Sequence, residues 1–182
     1  HGNGGTIAGS VVGGQTNWVS LVIVGNGNTR VSGFNGKDIQ NVTVSGVSEL
    51  AKSAFENCKN LRTVDLADDG CLGNIGEWAF GGNTNLCSVA VPNTVTNIGS
   101  YAFFDCCAMT NAVIGTSVET IRYNAFQYCH SLERVEIPSS VTNVGSRVFD
   151  DCESIREVIW HGNDGTIDGS VFGGQTNWGA LV

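Results

Sequence analysis

The chain has 182 residues, 25 of them glycine and 2 proline, and carries a net charge of −8. The length suits one domain. The acid excess excludes nucleic acid, whose phosphates it would repel, and simple electrostatic docking on anionic lipid. No apolar run approaches the roughly 18 residues of a membrane span.

In chain order the first elements are the loosest. Ile7, Val12, Gln15, Trp18, Leu21 and Ile23 mark an opening unit, and Phe34 anchors a second, degenerate one with Ile39, Val42 and Val44 as its strand. From residue 54 the pattern is regular. Ala54-Phe55, Ala79-Phe80, Ala102-Phe103, Ala125-Phe126, Val148-Phe149 and Val171-Phe172 place phenylalanines 25, 23, 23, 23 and 23 residues apart. Five residues before each Phe sits Leu50, Ile75, Ile98, Ile121, Val144 or Ile167. Three residues after it comes Cys58, Asn83, Cys106, Cys129, Cys152 or Gln175. Six after it comes Leu61, Leu86, Met109, Leu132, Ile155 or Trp178. A pair two apart closes each unit: Val64 and Leu66, Val89 and Val91, Ala112 and Ile114, Val135 and Ile137, Val158 and Trp160.

Such a unit cannot bury its apolar residues alone, so the pattern predicts stacked coils sharing one continuous core. The pair two apart has the period of a strand face. Successive coils should therefore build a parallel sheet on one side. The Ile-Gly-x-x-Ala-Phe stretch is expected to form a short turn or a single helical turn on the other side. The phenylalanines Phe55, Phe80, Phe103, Phe126, Phe149 and Phe172 should line up in the core, with Cys58, Cys106, Cys129 and Cys152 beside them. A parallel β-helix has coils of similar length, but the fixed Ala-Phe and Leu-x-x-Val-x-Ile positions favour a leucine-rich repeat.

The unit Ala125-Phe126-Gln127-Tyr128-Cys129-His130-Ser131-Leu132-Glu133-Arg134-Val135-Glu136-Ile137-Pro138, followed by Ser140-Val141-Thr142-Asn143-Val144-Gly145, resembles the BspA-like branch of leucine-rich repeats. The likeness is good over residues 45–160 and looser at both ends. It implies a right-handed solenoid and a surface or secreted protein that adheres to hosts or matrix. It implies no reaction.

A longer period lies over the short one. His1–Val22 and His161–Val182 are identical at 17 of 22 positions, at an offset of 160. This reads as a super-repeat of about seven coils, the chain being one period plus an overlap, about eight coils in a single solenoid segment of a longer array. A first residue His1 and a last pair Leu181-Val182 in mid-strand fit a segment processed or excised from something longer. A capping motif shared by both ends is the alternative, but caps normally carry a polar outer face.

The seven cysteines divide into two groups. Cys58, Cys106, Cys129 and Cys152 hold one repeat position and read as a stack of small buried hydrophobes. Parallel Cβ vectors there fit disulfide geometry poorly. Cys71, Cys87 and Cys107 fall outside the stack and are candidates for one disulfide, for example with Cys106. The odd total leaves at least one thiol unpaired or linked to another chain.

No catalytic set, metal site or cofactor is expected. His1, His130 and His161 lack partners in a triad pattern, and no Gly-x-Ser-x-Gly is present. Glu133, Glu136 and Glu157, interleaved with Arg134 and Arg156, read as a solvated charged face. The stretch Gly162–Gly169 has the look of a calcium turn. Its N-terminal copy, however, carries Gly4 and Ala8 in place of Asp164 and Asp168, so turn chemistry explains it better. Asn41-Val42-Thr43 is a glycosylation sequon that matters only in a eukaryotic source.

The expected binding surface is the outward row of the sheet: Val22, Thr43, Asp65, Ala90, Val113, Glu136 and Ile159. Its aliphatic members read either as a contact surface for another chain or as the scattered aliphatics that any protein surface carries. The overall expectation is a non-enzymatic extracellular or cell-surface structural protein, a filament or surface-layer component. Its partners would be other copies of itself, end to end or laterally, and host or matrix proteins. A ligand-binding receptor-like domain is the second reading and a polysaccharide-active solenoid enzyme the third.

Overall fold

The computed structural model describes residues 5–9, 17–162 and 169–173. Val12, Gln15, Ile167, Gln175 and Trp178, the aspartates of the calcium-like turn and most of the two matching end segments lie outside these residues. Twelve strands follow one another: β1 (Thr6–Ala8), β2 (Asn17–Ser32), β3 (Asp38–Leu50), β4 (Thr63–Leu66), β5 (Asn74–Ile75), β6 (Ser88–Ala90), β7 (Asn97–Ile98), β8 (Asn111–Val113), β9 (Thr120–Ile121), β10 (Arg134–Ile137), β11 (Asn143–Val144) and β12 (Glu157–Trp160). Every pairing between them is parallel. Helical structure among the described residues is confined to short 3-10 turns such as Gly169–Phe172. The fold is a solenoid whose coils recur about every 23 residues.

The strands form two ladders that diverge from β3. Its first half pairs with β4, and the row continues through β6, β8, β10 and β12. Its last residues, Glu49 and Leu50, pair with Asn74 and Ile75 of β5, and this second row continues through β7, β9 and β11. Between the halves the chain turns a corner at Gly46, whose φ of 60° suits a residue without Cβ.

The stretch expected to turn opens with a two-residue strand at its isoleucine, and the Gly-x-x-Ala-Phe part that follows is a turn, as read from the sequence. Ile75, Ile98 and Ile121 pair in register with one another, and Gly76 N and Gly99 N donate to Leu50 O and Ile75 O at 2.8 Å each. A strand of two residues is too short for its period to show in the sequence. The glycine after the isoleucine answers to coil spacing. A Cβ on Gly99 would stand 2.6 Å from the backbone of Gly76 and Glu77.

The Ala-Phe turn is a third hydrogen-bonded wall. Phe55 N donates to Ala79 O, Phe80 N to Ala102 O and Phe103 N to Ala125 O, each at 2.8 Å. The turn wraps around its phenylalanine by placing a left-handed residue on either side. Two residues before Phe stand Ser53, Trp78, Tyr101, Asn124 and Arg147, and two after it Asn57, Asp105, Tyr128 and Asp151, all with φ between 55° and 63°. The alanines of the wall, from Ala54 to Ala125, are completely buried, which is what close coil-to-coil approach demands.

Inside this frame the phenylalanines stack. Phe34, Phe55, Phe80, Phe103, Phe126, Phe149 and Phe172 form one column, with centroid separations from 5.0 to 6.0 Å and planes within 28° of parallel. The separation slightly exceeds the roughly 4.8 Å between neighbouring strands. Phe34, the weakest anchor in the sequence, is buried and in line, and Trp18 meets it edge-on at 6.1 Å. Burying each Phe contributes about 1.5–3 kcal/mol. Coil n therefore depends on coils n−1 and n+1 for its largest apolar contact.

The cysteine column runs alongside. Each thiol donates to the carbonyl of a phenylalanine one coil back: Cys58 to Phe34 at 3.1 Å, Cys106 to Phe80 at 3.4 Å, Cys129 to Phe103 at 3.3 Å and Cys152 to Phe126 at 3.1 Å. Asn83 takes the same place and donates to Phe55 O at 3.0 Å and to Phe80 O at 2.8 Å. Burial pushes the Cys58 thiol up to about 11 and raises Cys106 and Cys129 as well.

Candidate binding surface

The row Val22, Thr43, Asp65, Ala90, Val113, Glu136 and Ile159 lies on the long-strand face. The register sets Val22 opposite Thr43, Thr43 opposite Asp65, Ala90 opposite Val113, and Glu136 between Val113 and Ile159. Val22 is 62% and Val113 52% exposed; Asp65, Ala90 and Glu136 are also exposed, whereas Thr43 and Ile159 are half-buried. The alternation is that of a sheet with one face on the core and one on solvent. Val19 and Val24 of β2 add two exposed aliphatics that the sequence reading did not single out.

The row opens into a groove of about 640 Å³, with Val113 and Ile114 on one wall and Arg134, Glu136, Pro138 and His161 around them. Arg134 holds the charges together. Its Nε lies 2.7 Å from a Glu157 oxygen and an Nη 3.0 Å from Glu136, while His161 Nε2 lies 2.8 Å from the other Glu136 oxygen. The hydrogen bond from His161 and the charge of Arg134 hold the Glu136 carboxyl below the usual carboxylate range. Its negative charge therefore persists at mildly acidic pH and is lost only as pH falls through that lowered value. Exposed pairs of this kind are screened by solvent and contribute little to stability.

Of the acidic and basic residues read as one charged face, Glu136, Glu157 and Arg134 come together, and Glu133 and Arg156 stay exposed at the start of the strand segment. His161 was missed. Its signal was arithmetic: it stands 25 residues after Glu136, one repeat plus the two-residue step that returns a strand to the same face. His130 lies elsewhere, with Nδ1 2.9 Å from Asp151 O. The sequon residue Asn41 is part of the sheet face, donating to Val19 O at 2.7 Å and accepting from Thr63 Oγ1 at 2.6 Å. Among the described residues no cluster of side chains is spaced to hold a metal ion.

The disulfide expected among Cys71, Cys87, Cys107 and Cys106 is not formed. Cys106 is buried and committed to Phe80 O, and the other three are engaged by their own turns. Cys71 bonds to Asp69 O, Cys87 to Asn85 O, and Cys107 to Asp105 Oδ1 at 2.9 Å. Burial and the Asp105 carboxylate push Cys107 up to about 11. Because the thiolate is the reacting species, a maleimide at neutral pH should label exposed Cys87 first in the native protein. Cys58, Cys106, Cys129 and Cys152 should label only after unfolding. Mass spectrometry of labelled peptides checks this order, and fast native labelling of Cys129 would contradict the packing.

Stacked coils with two parallel strand rows, one phenylalanine column and a solvent-facing groove across the longer strands define a leucine-rich-repeat solenoid. The model of the BspA type leucine rich repeat region matches residues 48–178 in 6 copies, and the chain belongs to that family. Three crystal structures are similar. The leucine rich repeat protein of T. pallidum has 29% identity and a TM-score of 0.64, over 77% of this chain and 63% of that one. The pneumococcal vaccine antigen PcpA has 18% identity and a TM-score of 0.65, over 85% of this chain and 42% of that one. A leucine rich cell surface protein of Faecalibacterium prausnitzii has 19% identity and a TM-score of 0.57, over 89% of this chain and 49% of that one. The last two show the fold alone. The chain thus spans between 42% and 63% of these structures' length. No curated protein matches the chain. No described helix is long and apolar enough to cross a membrane.

Proposed function

We propose that this chain is a non-enzymatic extracellular structural or adhesive protein that docks other chains on its long-strand face, building or decorating a filament or surface layer. The carrying observation is the groove of about 640 Å³ in which exposed Val113 stands beside Arg134, Glu136 and His161. An apolar wall with paired charges around it resembles the anatomy of a protein contact. Two further facts support the reading. One related structure is described as a cell surface protein and another as a vaccine antigen, which fits exposure outside the cell. The offset of 160 residues between the two matching ends fits an array in which copies follow one another. Other copies of the chain are therefore the first partner, and host or matrix proteins the second. A hydrolytic reading has less support. Glycosidic cleavage needs one carboxyl protonated, whereas Glu136 shares Arg134 with Glu157 and is held ionised.

Negative-stain microscopy and sedimentation velocity of the purified chain test this. Filaments or concentration-dependent assemblies are expected, and Val113→Asp should weaken assembly at least about tenfold by placing an unpaired charge in the contact. Discrete monomeric particles at every concentration would move the assignment to a receptor-like domain.

A further inference from the structure

A groove of about 370 Å³ crosses β5 and β7 on the side of the two-residue strands. One residue in it stands against the logic of the repeat. Four residues before each core phenylalanine the chain holds Ala51, Gly76, Gly99, Arg122 and Gly145. The backbone runs alike in these coils: Gly99 N donates to Ile75 O at 2.8 Å, Arg122 N to Ile98 O at 3.0 Å and Gly145 N to Ile121 O at 2.8 Å. The place is crowded. A Cβ on Gly76, Gly99 or Gly145 would stand 2.7, 2.6 or 2.3 Å from the backbone of the coil before. Packing asks for glycine, and nothing in the closure of the coil calls for an arginine.

The guanidinium is positioned but not neutralised. Its Nε donates to Asn97 Oδ1 at 3.0 Å, and Asn97 Nδ2 donates in turn to Asn74 Oδ1 at 2.7 Å. Its two Nη groups have no partner, and no carboxylate of the described residues lies within ion-pairing distance. The other two cations of the groove are balanced: Arg30 Nε lies 3.3 Å from Glu49 and Lys52 Nζ 2.9 Å from Glu77. In a chain of net charge −8, the groove thus keeps one uncompensated positive charge, at Arg122. Ser100 is a second, independent sign. It lines the groove at 5% exposure, and its hydroxyl has no hydrogen-bond partner. A nearly buried hydroxyl left unpartnered by the protein is met from the groove or not at all.

We propose that this groove binds a single carboxylate carried on a hydroxyl-rich ligand, a sugar acid of the hexuronate kind. Charge selects the anion. One free guanidinium balances one monovalent carboxylate, and its coplanar Nη groups present the fork that two carboxylate oxygens meet. A dianionic phosphate would bring a second charge that an acidic chain repels. A neutral sugar would leave Arg122 unbalanced. The rest of the lining selects what carries the carboxylate. Around Arg122 stand the Ser100 hydroxyl, the Tyr123 phenol and the amides of Asn74 and Asn97, which are donors and acceptors for sugar hydroxyls. No aliphatic side chain lines the groove to receive a fatty or branched acid.

The test is titration of the intact chain with galacturonate and glucuronate, read by amide NMR shifts and calorimetry, beside glucose, acetate and phosphate. At least one uronate is expected to bind saturably with a Kd below about 5 mM, and about tenfold more tightly than the other three compounds. Arg122→Gly installs the residue that Gly76, Gly99 and Gly145 supply in neighbouring coils, so the variant should fold, with thermal unfolding as the check. It is expected to lose uronate binding by at least about tenfold, and Ser100→Ala to weaken it about threefold. Val113→Asp, on the long-strand face, should leave the affinity unchanged, so failure of assembly and failure of this site are read separately. No saturable binding of either uronate at about 5 mM would overturn the proposal. So would equal binding of glucose or acetate, tighter binding of phosphate, or an unchanged affinity in Arg122→Gly.

Discussion

Phe103→Ala is expected to destabilise the chain by about 3–5 kcal/mol, the range for deleting a fully buried aromatic ring. The ring sits in the middle of the column, 5.4 Å from Phe80 and 5.0 Å from Phe126. Both neighbours lose their stacking partner, and neither can collapse into the gap. Their backbones are fixed by turn bonds on each side, Phe80 N to Ala102 O and Phe126 N to Val148 O. In a solenoid, stability is a sum of coil terms and nearest-neighbour interfaces. A lesion at the centre therefore removes two interfaces and splits the core into two short stacks. Urea unfolding followed by far-ultraviolet circular dichroism measures the loss. Val113→Ala, on the exposed face, should change stability by less than about 0.5 kcal/mol in the same assay. A Phe103→Ala cost below about 1 kcal/mol would mean that the column is not the principal core.

Much of this was legible because a repeat converts sequence distance into spatial distance. Phe80, Phe103, Phe126 and Phe149 recur every 23 residues, so their alignment required only that coils stack. The outward row from Val22 to Ile159 followed from a strand's two-residue alternation. The same arithmetic would have paired Arg134 with Glu157, or Trp78 with Tyr101, each exactly one repeat apart. These pairs stand at variable positions, where an eye trained on conserved letters does not look. Three features were not legible. The isoleucines of β5, β7 and β9 lie in strands of two residues, which leave no alternation to detect. The left-handed turn positions hold Ser53, Trp78, Tyr101, Asn124 and Arg147, a set with no common chemistry, so the sign of φ is imposed by the turn and not announced by the residue. Cys71, Cys87 and Cys107 suggested pairing by count. Whether thiols meet depends instead on turn geometry, and here each thiol is turned to an oxygen within two residues of its own position.

The cysteine column contains its own internal control. Asn83 replaces cysteine in one coil and gives two hydrogen bonds to buried carbonyls, of Phe55 and Phe80. Its Oδ1 is buried with no hydrogen-bond partner. Half of the amide therefore satisfies the backbone and half is left with an unmet need, which costs about 1–3 kcal/mol for a buried acceptor. Asn83→Leu removes the donor as well, leaving Phe55 O unserved in the core, and is expected to destabilise the chain by about 2–4 kcal/mol. Asn83→Cys restores the residue that four other coils use, donates to the same kind of carbonyl, and removes the orphaned oxygen. It should be neutral or stabilising by about 1 kcal/mol, despite the loss of a strong donor. The two variants bracket the physical role of the column. If both are equally destabilising, the position is governed by side-chain volume alone. If leucine is tolerated as well as cysteine, the bond to the phenylalanine carbonyl is incidental. Thermal unfolding of the two variants beside the parent chain decides between these outcomes. The predicted order, cysteine at or above asparagine and both well above leucine, arises only if each coil must deliver one donor to the carbonyl of the coil before it.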